Sequence, residues 1–466
     1  MAAILSGICV AWLFWLGLGQ MQLALVKSNI LQTGYSFTPP LNPPRLPDEQ
    51  NGVYYLRRAA MAESAKTWLA PTMTLDGPVQ PEDDPKAPWN QPFYKKLSEN
   101  EFLSDFKTSI ADQTLTPEKM AYARKLLREH SESLALIHQA ALTGNFDWGQ
   151  DFGVPWFGKV KLPRIAFLLF LARLSACEAY VQARDGQYEK SLESLKDGFA
   201  IAEASRNSRF LISEMIGEAI PKMLLDVVRV MPAVPPSLLE KQLLPALQPW
   251  ETGTRFPDTL NFEFFIMHGS LNQMSWRDLA DYFQLADDYT DTKGAGLSNQ
   301  VKGFFYRPFL EWDMASDLTY ALQLTNGLQL PFQERKAFFE KTGVKFQKKC
   351  WAIGGSGFTW NGFYNMQAKA DECVADCRLA HAAVEARLFH DKNKHWPDAL
   401  WELEDEKNKS EFLDPFNDGA DLKVMRYGDG ILIYSLGPSG VDNQGRPKNL
   451  STNDYINIDL RWILNK

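Results

Sequence analysis

The hydrophobic positions of this chain form one uninterrupted run, several helical stripes and a short alternating segment. The uninterrupted run covers residues 3–26 and has no charged side chain, and Gln20 and Gln22 are its two strongly polar residues. A helix of about 20 apolar residues is long enough to cross the ~30 Å hydrocarbon core of a bilayer. We therefore expect residues 1–28 to form a transmembrane anchor.

Two other interpretations of this run stay open, a cleaved signal peptide and a buried helix. A signal peptide normally has a basic amino-terminal region and a small-residue cleavage site. No Lys or Arg precedes Lys27 and no A-x-A pattern follows the run, so an uncleaved anchor is favoured. For the orientation of the anchor, Lys27 after the run favours a cytoplasmic bulk by the positive-inside rule.

A proline-rich spacer follows at residues 29–50, because clustered prolines favour an extended chain. Helical periodicity predominates in residues 51–362, which we define as the helical body. Within it, Thr116 and Pro117 are typical of a helix start, and apolar residues recur every seven positions until Gly144. This pattern predicts one helix over residues 117–143. Further helices are predicted at residues 51–69, 165–183, 188–205, 211–231, 272–288, 309–325 and 332–348.

The helices predicted at 165–183 and 188–205 are joined by a Gly-Gln-Tyr turn. A small-residue helix, this turn and an amphipathic helix together are similar to a tetratricopeptide unit. One such unit is visible, whereas stacked arrays need about three. The expected fold class is therefore mainly α, with tetratricopeptide-like helical pairs.

The pattern changes in residues 363–466, which we predict to be a separate module. A helix over 364–390 ends before Pro397. Two apolar strands at 424–427 and 431–435 then flank a Gly-Asp-Gly turn, which is a hairpin signal. We therefore expect one helix followed by a small antiparallel β module.

Composition narrows the function without naming it. Hydrophobic residues make up 45% of the chain and charged residues 23%, which excludes wholesale disorder. The net charge of −8 disfavours nucleic acid as a partner, since such proteins need a basic surface. Five cysteines in 466 residues are too few for a disulfide scaffold.

Four features follow one another near the carboxyl end: HWPDALWELE at 395–404, DPFNDG at 414–419, the hairpin, and YSLGPSG at 434–440. This order resembles the type II secretion major pseudopilins, which have a helix begun by proline, a DPWG turn, a hairpin and an SLGADG loop. FDWGQDFG at 146–153, with residues 162–180 and 183–195, resembles a family of planctomycete-type membrane-anchored proteins of uncharacterised activity. The resemblance implies that most of the protein lies in the periplasm. For the orientation of the anchor, we give this resemblance more weight than the charge of Lys27.

The resemblance also implies calcium as a cofactor. The terminal loop of pseudopilins binds Ca²⁺ through carboxylates and backbone carbonyls, and the same region of this chain contains Asp442, Asn443, Asp454 and Asp459. Ca²⁺ takes six to eight oxygen ligands. Ser439 stands where the family has an aspartate. The alternative is a polar turn whose Asp and Asn side chains hydrogen-bond their own backbone.

Asp147 and Asp151 flank Trp148, and Arg164 follows before the next predicted helix. Paired carboxylates can perform acid/base chemistry, and an Asp–Arg pair can clamp a ligand. Asp147, Asp151 and Arg164 are therefore candidate ligand-binding residues. The alternative is that they fix the geometry of the neighbouring helices.

Cys373, Cys377 and His381 lie on one side of the helix predicted at 364–390. They could ligate zinc, or a cysteine among them could form a disulfide with Cys350. The same side continues through other small apolar residues, and a free cysteine packs there as a small hydrophobe. We therefore favour core packing.

These observations predict a membrane-anchored extracytoplasmic binding or scaffold protein of the cell envelope. We expect it at the inner membrane, with an envelope protein as partner and an association with a secretion or pilus-like system. The alternative is an envelope hydrolase. Titratable residues converging in a deep cleft around Asp147, Asp151 and Arg164 would favour the enzyme, and an open groove lined by helix faces would favour binding. Assembly through the anchor, as in pilins, needs a processing site that the sequence does not show.

Overall fold

The structure is a computed structural model that describes residues 2–37, 45–65, 94–111, 115–150, 166–231, 234–253, 255–263, 265, 297–346, 360–403, 412–445 and 460–464. Within these ranges the fold is mainly helical, with an apolar amino-terminal helix and a small three-stranded antiparallel sheet near the carboxyl end. The expected mainly α class and the carboxyl-terminal β module are confirmed at this level.

The helices are α1 (Ala2–Gln32), α2 (Gly52–Ala65), α3 (Tyr94–Ala111), α4 (Pro117–Glu129), α5 (Ser131–Thr143), α6 (Ala166–Arg184), α7 (Tyr188–Arg206), α8 (Leu211–Val230), α9 (Pro236–Gln242), α10 (Leu244–Glu251), α11 (Phe256–Asn261), α12 (Leu297–Leu328), α13 (Phe332–Phe346) and α14 (Trp360–Asn393). The strands are β1 (Lys423–Tyr427), β2 (Gly430–Ser435) and β3 (Leu460–Leu464). The helix predicted at 272–288 lies outside the described residues. The one predicted at 309–325 is longer than expected and is α12.

The single helix predicted over 117–143 is wrong, because the chain bends at His130 and forms α4 and α5. His130 has φ −105° and ψ 17°, outside the helical region. Its ring is buried and packs edge-on against Phe170, with 5.8 Å between ring centroids. The bend lets α4 pack on α6 while α5 packs on α2 and α7. The predicted ends are confirmed: Thr116 Oγ1 accepts from Lys119 N, and Gly144 has φ 64°.

α6, α7 and α8 pack against one another in succession and form the centre of the helical body. A Cβ built on Gly198 of α7 would lie 2.6 Å from Leu224 Cδ2 of α8, so a larger residue at this position would force Leu224 to shift. The core around these helices also includes Cys373 and Cys377 of α14, and Ile431 of β2. One continuous core therefore includes residues on both sides of the predicted boundary between 362 and 363.

The sheet has the order β1-β2-β3, and all three strands are antiparallel neighbours. β2 lies in the centre with every residue buried, and it packs on α14. Tyr427 pairs with Gly430 at the predicted hairpin turn, where Gly428 has φ 58°. The hairpin is thus confirmed, and β3 is the strand that pairs on its far side.

α1 lies against α12, and this contact is the largest feature of the fold that periodicity did not predict. Leu23, Val26 and Ile30 of α1 are buried on α12, where Leu310 and Leu318 are among their partners. In the described part of the chain, α1 is the one helix long and apolar enough to cross a membrane, over Val10–Gln32.

Candidate functional site

An open groove of about 550 Å³ lies between the faces of four helices, α4 to α7. Its lining residues are Leu127, Arg128, Ser131, Leu134, Ala135, His138, Glu178, Gln182, Lys190, Glu193, Ser194 and Asp197. The bend at His130 shapes one wall, because it sets α4 and α5 at different angles to the α6–α7 pair. Polar side chains from three of these helices meet on its floor.

His138 of α5 and Asp197 of α7 form the first polar pair of the floor. His138 Nδ1 lies 3.2 Å from each carboxylate oxygen of Asp197. Burial raises the pKa of Asp197 to about 6, although the neighbouring His138 lowers it in part. The Asp197 carboxyl therefore changes charge close to neutral pH.

Glu178 and Gln182 of α6 form the second polar group of the floor with Ser194 of α7. Ser194 Oγ lies 2.9 Å from both Glu178 Oε2 and Gln182 Oε1, and its single proton serves one of them at a time. Burial raises the pKa of Glu178, and the hydrogen bond from Ser194 opposes this shift. Two carboxyl groups with raised pKa thus lie in one groove.

The rim of the groove is charged and exposed. Arg128 and Lys190 contribute cations, and Glu193 contributes a further anion. With Glu178 and Asp197 ionised, carboxylates outnumber cations among the lining residues. The groove can therefore accept hydrogen bonds from a bound segment and pair with a cationic group on it.

A second cavity lies inside the body between α3, α6 and α8. Lys107, Arg173 and Asp226 contribute polar atoms to its apolar wall, and its volume is about 10 Å³. Such a volume fits one water molecule and no larger ligand. Burial lowers the pKa of Lys107.

Asp147, the first sequence-predicted site residue, holds a turn together. Gly149 N donates to Asp147 Oδ1 at 2.8 Å, while Asp147 N donates to Asn51 Oδ1 at 3.0 Å. The first bond closes a turn within the segment after α5, and the second joins this segment to the residue before α2. Asp151 and Arg164 lie outside the described residues, so the proposed clamp of Asp147, Asp151 and Arg164 stays a prediction.

In the loop after β2, the two described members of the proposed calcium set bond within the protein. Asp442 Oδ1 accepts from Gln444 N at 2.8 Å and from Tyr434 Oη at 3.1 Å. Asn443 Nδ2 donates to Val441 O at 3.2 Å. These are the bonds of the polar turn that was the alternative. Asp454 and Asp459 lie outside the described residues, and the calcium site stays a prediction.

Cys373 and Cys377 are buried free thiols in the main core, as the favoured interpretation predicted. Burial raises the pKa of the Cys377 thiol, which disfavours the thiolate that a zinc site needs. His381 Nδ1 lies 3.1 Å from both carboxylate oxygens of Glu251 on α10. Across the residues that the structure describes, no three His, Cys, Asp or Glu side chains are grouped to hold a metal ion.

In comparisons with known proteins, no family model matches the chain, and neither a curated protein nor a solved structure is significantly similar to it. The resemblances therefore rest on their sequence motifs alone.

Sequence reasoning missed the groove residues. Glu178 and Gln182 are four positions apart on α6, and Ser194 and Asp197 are three apart on α7. This spacing puts each pair on one helix face. The sequence therefore contained one indication of the groove, a polar stripe on each of two helices whose other residues are largely buried. The contact between these stripes and His138 of α5 depends on the tertiary fold.

Proposed function

We propose that this chain is a membrane-attached binding or scaffold protein of the cell envelope. In this proposal, the groove formed by α4, α5, α6 and α7 holds a segment of its partner. The single observation that carries the proposal is the form of the groove, which is open, walled by helix faces and polar along its floor. Extended segments commonly bind in such grooves, where side chains of the receptor supply hydrogen bonds.

The finer parts of the proposal come from the sequence resemblances. The α6–α7 pair is tetratricopeptide-like, and the unit of α14 with the three-stranded sheet is pseudopilin-like. Both are consistent with an extracytoplasmic protein at the inner membrane, beside a secretion or pilus-like system. α1 supplies the membrane attachment, and a single crossing with the bulk in the periplasm stays a prediction.

Two matched variants of α5 test the groove. Ala135 lines it and is exposed, whereas Gln139 is exposed on the same helix but does not line it. Tagged full-length chains carrying Ala135→Trp or Gln139→Trp are recovered from solubilised envelopes, and co-purifying proteins are quantified by mass spectrometry. We expect Ala135→Trp to reduce recovery of a specific partner by at least about tenfold, since filling the groove removes more than 1.4 kcal/mol of binding.

Equal recovery with the two variants would show that the partner binds elsewhere. A chain purified without any partner would contradict the scaffold function itself. Both variants are compared by thermal melting, so that a folding defect in one of them is recognised.

A second candidate function is an envelope hydrolase, which the paired carboxyl groups of the groove favour. Glu178 and Asp197 both have raised pKa values and lie beside Ser194 and His138. A carboxyl group with a raised pKa can donate a proton as well as accept one. If ester, peptide or glycoside substrates are turned over, Glu178→Gln and Asp197→Asn should each remove the activity while Glu193→Gln retains it.

A further inference from the structure

α1 and α12 run parallel and in register. Trp12 Nε1 donates to Phe304 O, and Trp312 Nε1 donates to Trp15 O. Just beyond the carboxyl ends of both helices, Gln329 Nε2 donates to Tyr35 Oη. The partners in these three bonds are 292, 297 and 294 positions apart. A nearly constant separation means that both helices advance in the same direction. Each turn of α1 therefore packs against one particular turn of α12.

The facing turns of α1 and α12 are tightly packed. The Trp12 and Phe304 rings stack with centroids 5.6 Å apart, and the Trp15 and Phe309 rings lie 6.0 Å apart. A Cβ built on Gly19 would lie 2.9 Å from the Trp312 ring. α1 thus cannot slide along α12 without breaking these contacts.

This packing decides how α1 can enter a membrane. Alone, α1 is long and apolar enough to cross. If the pair crossed together, α12 would carry Lys302, Arg307, Glu311, Asp313 and Asp317 into the bilayer beside it. Each charged residue in a membrane-spanning segment is costly. With five of them between positions 302 and 317, α12 is not among the described helices that are apolar enough to cross. The packed pair is therefore unsuited to crossing.

The outer surface of the pair is nevertheless strongly apolar. The exposed hydrophobic residues are Val10, Leu13, Phe14, Trp15, Met21, Leu25 and Leu31 on α1, and Val301, Phe304, Phe305 and Phe309 on α12. The exposed fraction is 61% for Phe14 and 55% for Phe305. A soluble surface rarely exposes so many neighbouring apolar side chains. Aromatic rings with nearby Lys and Arg in the sequence are typical of helices that lie at the level of the lipid headgroups.

We propose that α1 and the first turns of α12 attach the protein to the membrane together, as one two-helix element lying in the interface of a lipid bilayer. The proposal rests on the membrane attachment in the proposed function, and it replaces the single crossing by α1 with attachment in the interface. The aromatic surface enters the headgroup and upper acyl region. The buried face of α1 keeps its contacts with Leu310, Met314 and Leu318.

Site-specific fluorescence on the full chain tests this mode. An environment-sensitive NBD label is attached at Phe305→Cys, or at Asn326→Cys near the other end of α12, after Cys9 and Cys350 have been changed to Ser. Asn326 is exposed and serves as the matched control. The chain is bound to sealed vesicles of phosphatidylethanolamine and phosphatidylglycerol, with nitroxide-labelled lipid as quencher. We expect the label at 305 to shift to shorter wavelength and to be quenched several-fold more strongly than the label at 326.

The same emission from both positions, in a chain that floats with the vesicles, would overturn the two-helix attachment. A second readout uses Ala3→Cys and a membrane-impermeant maleimide. In the proposed arrangement Ala3→Cys and Asn326→Cys react from the same side of the bilayer. Protection of Ala3→Cys alone would mean that α1 crosses by itself and has left α12. A chain that does not float with vesicles would contradict membrane attachment as such, and so the proposed function.

Discussion

Asp414 shows how one residue holds the carboxyl-terminal module together. It lies in DPFNDG, and its buried carboxylate accepts from Phe416 N at 3.0 Å, Leu436 N at 2.9 Å and Ser435 Oγ at 2.8 Å. Asp414 therefore joins two of the four features that carry the pseudopilin resemblance, DPFNDG and YSLGPSG. The role of Asp414 is structural, because all three hydrogen bonds are formed within the carboxyl-terminal module.

Replacing Asp414 should therefore lower stability. Asp414→Ala leaves two buried backbone N–H groups without their acceptor, and we expect a loss of about 2–4 kcal/mol in the free energy of unfolding. Asp414→Asn keeps the shape and one oxygen and should lose less. Urea denaturation measures both, with the exposed Asp421→Ala as control. An unchanged midpoint for Asp414→Ala would contradict this role.

Asp197 makes stability depend on pH. Its pKa of about 6 in the folded chain lies above the ordinary value of 3.8, since burial disfavours the charged form. The folded state therefore holds the proton more tightly, and stability falls as pH rises from about 4 to about 6. The cost of ionising Asp197 is at most about 3 kcal/mol at neutral pH.

Asp197→Asn should remove this dependence. The stability of wild type relative to the variant is expected to decrease across that pH window and to level off above it. Thermal melting at closely spaced pH values measures the difference. Asp258→Asn on α11 is the control. A wild-type curve parallel to that of Asp197→Asn from pH 4 to 7 would show that Asp197 has an ordinary pKa.

At the scale of elements, a half-buried guanidinium joins α8, α14 and β3. Arg229 Nη1 lies 2.8 Å from Asp226 Oδ1, and Arg229 Nη2 lies 2.5 Å from Asp376 Oδ1. The guanidinium also lies over the Trp462 ring, 5.5 Å from its centroid. The helical body and the carboxyl-terminal module thus share an ionic contact as well as an apolar core.

Arg229→Met should strongly destabilise this junction, because it leaves the buried Asp376 carboxylate without its cation. We expect a loss of about 3–5 kcal/mol in the free energy of unfolding. The double variant Arg229→Met/Asp376→Leu removes the unpaired charge and should recover part of it. Chemical denaturation compares the three chains. If the double variant is less stable than Arg229→Met, charge burial is not the cause.

Elements with a strong local period were predictable. α6, α7, α8, α13 and α14 lie close to the predicted ranges, because helical stripes and turn residues are local properties of the sequence. The break at His130 was not, because the apolar spacing of seven continues through it. The ring of His130 packs against Phe170, and no local pattern predicts such a contact.

At the scale of the whole molecule, α1 is part of the packed structure. Leu310, Met314, Leu318 and Ala321 of α12 are buried in the cluster that α1 completes. Removal of α1, as a cleaved signal peptide would be removed, uncovers this face.

Deletion of residues 1–32 should therefore destabilise the fold. Full burial of each large apolar side chain stabilises by about 1.5–3 kcal/mol, so we expect a lower melting temperature and stronger binding of a hydrophobic dye. The matched control is Leu13→Ser/Phe14→Ser/Met21→Ser, which changes the exposed side of α1 and should leave the melting temperature nearly unchanged. A truncated chain that melts like the full chain would show that α12 needs no cover.

The sequence by itself determined the apolar amino-terminal run, the helical pairs, the helix ends at Thr116 and Gly144 and the carboxyl-terminal hairpin. Each of these depends on residues that are neighbours along the chain. The tertiary structure alone decided that α1 has a partner almost 300 positions away and that His138 meets Asp197. Periodicity shows which face of a helix is apolar or polar, but it does not predict which other helix packs against that face. The physical reason is that these contacts are set by packing across the whole fold.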